Sequence, residues 1–336
     1  MSAPLVLDRL LVEASSRSRA EIGYCLSAGH KRRWLDHDLP LPLFEKALRE
    51  IVSVTEIRFH GWGEPLANPD ILPMLSSAKH TGARTVLVTE GSKLTDEHAT
   101  ALVRDDIDAV VFPLAGLTED TNFRRRGTSL YAVLAAIDRL GTVKAVHQSA
   151  LPEIRVRYTL TRPGLANELD ALPQFLADIG ATAASVRPLS YATCPETEYD
   201  TLVPGDQAGF DAVAARLRDV AAAAKHLGIR LDSRLIYGGQ SRFCCPDTPA
   251  SALFIAADGA VSPCPLRNVP IADPAAYRFN NREIPFPRDV RGNLHADSLA
   301  TIWNAPAYRD FRYGHDTDAP PEGCGGCWRS FWVTVE

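Results

Sequence analysis

Six short runs of apolar and β-branched residues recur along the first 190 positions, and a helical stretch follows nearly every one of them. The runs at 5–14, 55–60, 85–89, 109–114, 154–161 and 184–188 read as strands. The stretches 41–51, 71–80, 96–104, 130–140 and 168–179 repeat apolar residues at helical spacing. A helix between two strands turns them parallel rather than into a hairpin. The expectation is therefore an α/β fold, a parallel sheet with helical crossovers, either open or curled into a partial barrel.

After Leu189 the pattern changes. A proline-containing loop with Cys194 leads into an Ala-rich helix at 210–227 and a strand at 229–232, and from Gly238 the chain is rich in Gly, Pro and Cys. A boundary near residue 235 is expected, giving units 1–235 and 236–336. With 336 residues, 46% of them hydrophobic, the chain has enough apolar material for one large domain or two smaller ones. A net charge of −5 argues against a general nucleic-acid binder. No run of eighteen apolar residues is present, so no membrane span is expected. Met1-Ser2-Ala3-Pro4 lacks the layout of a secretion signal. The seven cysteines are therefore expected in a reducing, cytoplasmic setting, where they hold metals more often than they form disulfides.

Five of those cysteines lie in the tail. Cys244 and Cys245 are adjacent, and Cys264 follows a hairpin expected at 252–256 and 260–262, turned at Asp258-Gly259. Cys324-Gly325-Gly326-Cys327 is a CxxC whose glycines let backbone fold closely around a metal. The candidate metal ligands are Cys245, Cys264, Cys324 and Cys327, with Cys244 as the alternative to Cys245. Four thiolates from three segments suit tetrahedral zinc or a cubane cluster equally well, and spacing alone favours zinc.

The surrounding residues shift that balance. Positions 254–328 resemble the SPASM/twitch extension of radical S-adenosylmethionine (SAM) enzymes. The resemblance rests on Asp258-Gly259 before Cys264, on Gly292-Asn293-Leu294, on Ser298-Leu299 with Ile302-Trp303, and on the final CxxC. It implies one auxiliary 4Fe–4S cluster in the shorter, twitch form. The front two-thirds look like the family's partial (β/α)6 TIM-like barrel. Phe59-His60-Gly61-Trp62-Gly63-Glu64-Pro65 is similar to its Gly-Gly-Glu-Pro strand end, which in the family holds the amino group of SAM. Thr89-Glu90-Gly91 stands where Thr-Asn-Gly is usual. Gly61, Gly63, Glu64 and Pro65 are thereby expected to form a vestigial SAM pocket.

One departure outweighs these matches. The family's SAM cluster is held by Cys-x3-Cys-x2-Cys after the first strand, and here Ser18 and Ile22 stand at the first two positions, leaving Cys25 alone. One thiolate, even with His30 nearby, cannot ligate three irons, so radical generation from SAM is not expected. Glu90, Pro113 (expected to interrupt its strand) and Gly164 depart in the same direction.

The remaining features are read more plainly. Arg124-Arg125-Arg126 is expected to be a solvated face. Lys31-Arg32-Arg33 would face the barrel mouth if the family layout holds, though a basic loop is the simpler reading. Cys194 reads as an exposed spare thiol, and Trp328, Phe331 and Trp332 as a shield for the metal centre. The expected function is a repurposed biosynthetic iron–sulfur enzyme acting on a small molecule or peptide, with an electron donor or an active paralogue as partner. The alternatives are a non-catalytic partner with a structural cluster, a SAM-binding enzyme of polar chemistry, and a radical enzyme with an unfamiliar ligand set around Cys25.

Overall fold

The computed structural model describes residues 4–18, 24–237, 245–272, 275–286, 288–317 and 320–336. Ile22 and Cys244 lie outside the described residues. Seven strands, β1 (Val6–Val12), β2 (Ser53–Phe59), β3 (Arg84–Val88), β4 (Ala109–Leu114), β5 (Glu153–Leu160), β6 (Ala183–Pro188) and β7 (Arg230–Ile236), lie side by side in chain order. Every neighbouring pair among them is parallel. That is one more strand than a six-stranded barrel contains.

Crossover helices Leu41–Glu50, Ile71–His80, Asp96–Arg104, Leu130–Val146 and Gln207–His226 return the chain after β1, β2, β3, β4 and β6. Side-chain oxygens of Thr95, Ser129 and Asp206 accept from backbone N–H groups in the first turns of three of them, fixing where they start. The main core lies between helices and sheet, with Phe44, Ile57, Phe59, Phe112 and Tyr158 fully buried.

Three local expectations need correction. The helix expected at 168–179 begins only at Leu172 and ends at Asp178, a separate helix Arg162–Asn167 precedes it, and between them Glu168 turns inward to accept from the Tyr158 hydroxyl at 2.6 Å and from Arg125 at 3.0 Å. Pro113 does not interrupt its strand: β4 pairs with β5 through Pro113 and Leu114. On the other side the β3 pairing has already stopped at Val88–Val111, so the missing proline N–H leaves no gap in that ladder. A further helix, Glu119–Arg126, was masked by its arginines; Thr118 and Thr121 cap it reciprocally.

The tail builds onto the same sheet. Strand β8 (Ala252–Ile255) runs parallel to β1 and turns through Asp258-Gly259 into antiparallel β9 (Ala260–Ser262). A small separate hairpin pairs β10 (Ala276–Phe279) with β11 (Arg282–Pro285). Strand β12 (Gly292–Asn293) adds to β9, and β13 (Trp332–Val335) adds antiparallel to β7. The eleven-stranded sheet thus ends at β12 and β13, tail strands that flank both edges of the parallel run. No helix among the described residues is long and apolar enough to cross a membrane.

Candidate functional site

Strand alternation decides what lines the inside of the curved sheet. On β2, Ile57 and Phe59 are buried in the main core, while Glu56 and Arg58 point the other way with His60 just beyond. On β5, Ile154, Val156 and Tyr158 are buried and Glu153, Arg155, Arg157 and Thr159 alternate with them. The inner face is therefore a charged column. Glu56 binds Arg84 at 2.8 Å, Arg58 at 2.9 Å and Arg9 at 3.3 Å. Burial would raise the Glu56 carboxyl, but Arg58, Arg9 and Arg84 outweigh it and hold it low. Glu153 likewise binds Arg155 and, at 2.6 Å, Arg230.

Above this layer opens a cavity of about 480 Å³ at the C-terminal ends of the strands, where α/β folds place ligands. Among the described residues, eight arginines and one carboxylate, Asp247, line it. Five of the arginines have carboxylate partners: Arg9 and Arg58 with Glu56, Arg125 with Glu168, Arg187 with Asp232, and Arg329 with Asp247. Arg126, Arg157 and Arg234 make no ion pair among the described residues. Burial, reinforced by the charges of Arg126 and Arg58, pushes the Arg157 guanidinium down to about 9. Its one hydrogen-bond partner among the described residues is the His60 ring, 3.3 Å away. That imidazole is driven well below its ordinary value by burial and by Arg157, so it is neutral. The arginine triplet is thus a correction to the sequence reading. Arg124 is exposed and paired with Asp120, but Arg125 and Arg126 belong to the cavity. Lys31, Arg32 and Arg33 do not line it.

Cys25 stands in this cavity at the start of the short helix Leu26–Gly29, its thiol donating to the Arg126 carbonyl at 3.6 Å. Burial pushes it up, against the pull of Arg126. Ser18 is hydrogen-bonded to Ser27 at 2.8 Å. No other cysteine lines the cavity among the described residues.

The Gly-Glu-Pro turn is packed from within. A Cβ on Gly61 would lie 2.5 Å from the Glu13 side chain, and one on Gly63 would lie 2.4 Å from the Ser16 backbone, so both positions need glycine for close approach. Glu64 is buried, accepting from Thr89 Oγ1 at 2.6 Å, Leu66 N–H at 3.0 Å and Glu90 N–H at 2.9 Å. Burial and the nearby Glu90 charge push its carboxyl up to about 7. Of Gly61, Gly63, Glu64 and Pro65, only Gly61 lines the cavity. Glu13, also raised to about 7 by burial, ties Trp62 N–H to Ala257 N–H and so joins the parallel sheet to the tail.

In the tail, Cys264 follows β9, and Cys324 and Cys327 bracket a tight turn in which Cys327 N–H donates to the Cys324 carbonyl at 3.1 Å. Burial pushes Cys264 up to about 12, aided by Asp247, Cys327 and Cys324, and Cys327 up to about 11. Cys245 is pushed well above its ordinary value by burial, with Asp247 and Cys264 adding. Cys324 is also raised by burial, although Arg267 donates to its sulfur at 3.4 Å. Arg329 sits among them, bonded to Asp247. Burial would lower its guanidinium, but Asp247 and the sulfurs of Cys264, Cys245 and Cys327 hold it high.

This donor set suits an iron–sulfur cluster. Four half-buried thiols come from three segments, and among the described residues no three donors are grouped as around a single ion. A tetrahedral zinc would bring its sulfurs to about 3.8 Å of each other, whereas a cubane carries its thiolates on outlying corners. Cys264 and Cys327 also share an apolar cluster with Trp328, Trp62, Tyr277 and Phe286 that screens them from water. Cys194 is half-buried rather than exposed, 3.5 Å from the Thr197 hydroxyl.

The sequence reading missed Arg58, His60, Arg157, Arg187 and Arg234. The signal was present in Glu56-x-Arg58-x-His60 and Glu153-x-Arg155-x-Arg157, charge at every second residue of a strand.

Comparison with known proteins bears on both regions. Residues 244–328 match the SPASM iron–sulfur cluster-binding domain. Over 318 residues, 90% of this chain and 83% of the relative, the sequence is 28% identical to the tungsten-containing aldehyde ferredoxin oxidoreductase cofactor-modifying protein of Pyrococcus furiosus. It is 24% identical to the PqqA peptide cyclase of Gluconobacter oxydans, over 98% of this chain and 85% of that one. The fold is similar to that of Streptococcus suis SuiB bound to S-adenosylmethionine, with a TM-score of 0.65 and 16% identity over 91% of this chain and 68% of SuiB. Residues 244–328 are thus similar to an iron–sulfur cluster-binding domain, and the chain as a whole shares the fold of SuiB.

Proposed function

We propose that this chain is a degenerate radical-SAM-like iron–sulfur protein with one auxiliary 4Fe–4S cluster and no SAM-cleaving cluster, repurposed as a biosynthetic enzyme of the cytoplasm. Cys245, Cys264, Cys324 and Cys327 would hold the cluster, in a tail unit that begins near residue 236. The observation that carries this reading is the contrast in thiols. Cys25 is the one thiol lining the cavity among the described residues, while Cys245, Cys264 and Cys327 lie around the Arg329–Asp247 pair and Cys324 adjoins Cys327.

A cluster bound by four thiolates has no open iron, and its chemistry is electron transfer. The protein's own residues do the rest. Trp328 and Trp62 keep water from the sulfurs, and Arg329 and Arg267 balance their negative charge. The barrel cavity adjoins through Asp247, Trp328 and Arg329, so a substrate bound there lies next to the redox centre. Since Glu64 is already engaged by Thr89, Leu66 and Glu90, it has little left to offer the amino group of SAM.

Of the relatives named above, one is a cofactor-modifying protein and one a peptide cyclase, which supports a peptide or small metabolite as substrate here. Calorimetry of the anaerobic holoprotein with SAM, paired with an assay for 5′-deoxyadenosine after reduction, tests the reading. No product is expected. Its formation at one equivalent or more per chain would overturn the proposal.

A further inference from the structure

We propose that the barrel cavity binds a small polyanion, a ligand bearing two or more phosphate or carboxylate groups, through Arg126, Arg157 and Arg234. This deepens the reading of the cavity as the substrate site, but it does not depend on the metal centre.

The inference rests on where charge is left over. In the inner layer of the sheet each arginine touches Glu56 or Glu153, and the outer arginines Arg125, Arg187 and Arg329 each have a carboxylate. Arg126, Arg157 and Arg234 come from three different elements, the end of the helix Glu119–Arg126, β5 and β7, and all three line the same cavity. None has an ion-pair partner among the described residues. The Arg126 Nε is buried without a hydrogen-bond partner. His60, neutral and facing Arg157, adds no negative charge.

Like charges confined in a protein cleft repel one another, and a chain of net charge −5 has carboxylates to spare for pairing them elsewhere. A cavity that keeps three guanidinium forks unpaired is matched by a ligand supplying several anionic oxygens. Its volume of about 480 Å³ fits a small metabolite. Aromatic walls from Trp62, Tyr191, Trp328 and Trp332 give an apolar or planar part of the same ligand a place to pack.

Titration calorimetry of the reconstituted holoprotein with inorganic tripolyphosphate, pyrophosphate and citrate tests this directly. One saturable site per chain is expected for at least one probe, weakening as salt is raised. Binding by the phosphates alone or by citrate alone would support the proposal and identify the anion. Arg157→Gln and Arg126→Gln should each weaken that binding at least tenfold, while Arg104→Gln, exposed and remote, leaves it unchanged. Circular dichroism confirms folding of each variant, and Arg234→Gln serves if either fails to fold. No saturation at millimolar probe, or equal affinity in folded Arg157→Gln and Arg126→Gln, would overturn the proposal. Because iron content and the visible absorption are read on the same samples, loss of anion binding with the cluster intact is distinguishable from failure of the metal-centre reading.

Discussion

Arg329 in the tail and Arg157 on β5 line one cavity, and burial strips water from both, yet their charges are tuned in opposite directions. Around Arg329 the chain supplies Asp247 and three cysteine sulfurs, which hold its proton tightly. Around Arg157 it supplies a neutral imidazole and more arginines, which loosen it. The residue type is the same, so the difference lies in the counter-charge. Where the protein needs a stable cation it builds an anion beside it. Around Arg157 it leaves that anion out, a costly arrangement unless something else completes it.

The largest expected effect comes from removing the tail's sulfurs. The double variant Cys324→Ser/Cys327→Ser should carry no iron and lose the visible absorption completely, and residues 245–336 should become protease-sensitive. Next is Glu56→Gln, which strips one anion from three arginines of the inner layer. Breaking a half-buried ion network in this way costs about 1–3 kcal/mol, measurable by denaturant unfolding. A loss below about 1 kcal/mol would mean the inner arginines need no partner, which breaks the contrast.

Arg157→Gln should act in the opposite sense. Removing a cation held among like charges is expected to stabilise the ligand-free protein by about 1–2 kcal/mol, with a higher melting temperature at low salt. Destabilisation of similar size would show that Arg157 is already compensated.

Smaller still is the pH dependence of the Glu64 turn. Its carboxyl is raised to about 7 in the fold, against 4.5 as the reference value. Between those values the unfolded chain releases a proton that the folded chain keeps, so this group's contribution falls as pH rises from about 4.5 to about 7 and then levels. Glu64→Gln should remove that slope, so the difference in unfolding free energy between wild type and variant changes between pH 5 and 7. An unchanged difference would mean the carboxylate is ionised in the fold.

The smallest effect is expected for Cys25→Ser, which exchanges one donor to the Arg126 carbonyl for another. Thermal unfolding should shift by no more than a degree or two.

Much of the fold was legible because parallel strands and crossover helices leave two different periods, and β1 to β6 fall where those periods place them. The inward turn of Glu168 was not legible, because its partners Arg125 and Tyr158 lie 43 and 10 residues away along the chain. Pro113 misled for a related reason: whether a proline ends a strand depends on whether its neighbour still pairs there, and β3 does not. In the tail, the CxxC and the Asp-Gly hairpin announced the thiols by local spacing. The arginine cavity had no such motif. Arg126, Arg157 and Arg234 are separated by 31 and 77 positions, and only the curvature of the sheet brings them to one space.

Iron and acid-labile sulfide counted per chain after anaerobic reconstitution test the central claim, that metal belongs to the tail and not to the cavity around Cys25. About four of each are expected, unchanged in Cys25→Ser and absent from the double variant lacking Cys324 and Cys327. About eight of each, half of them lost with Cys25, would contradict it.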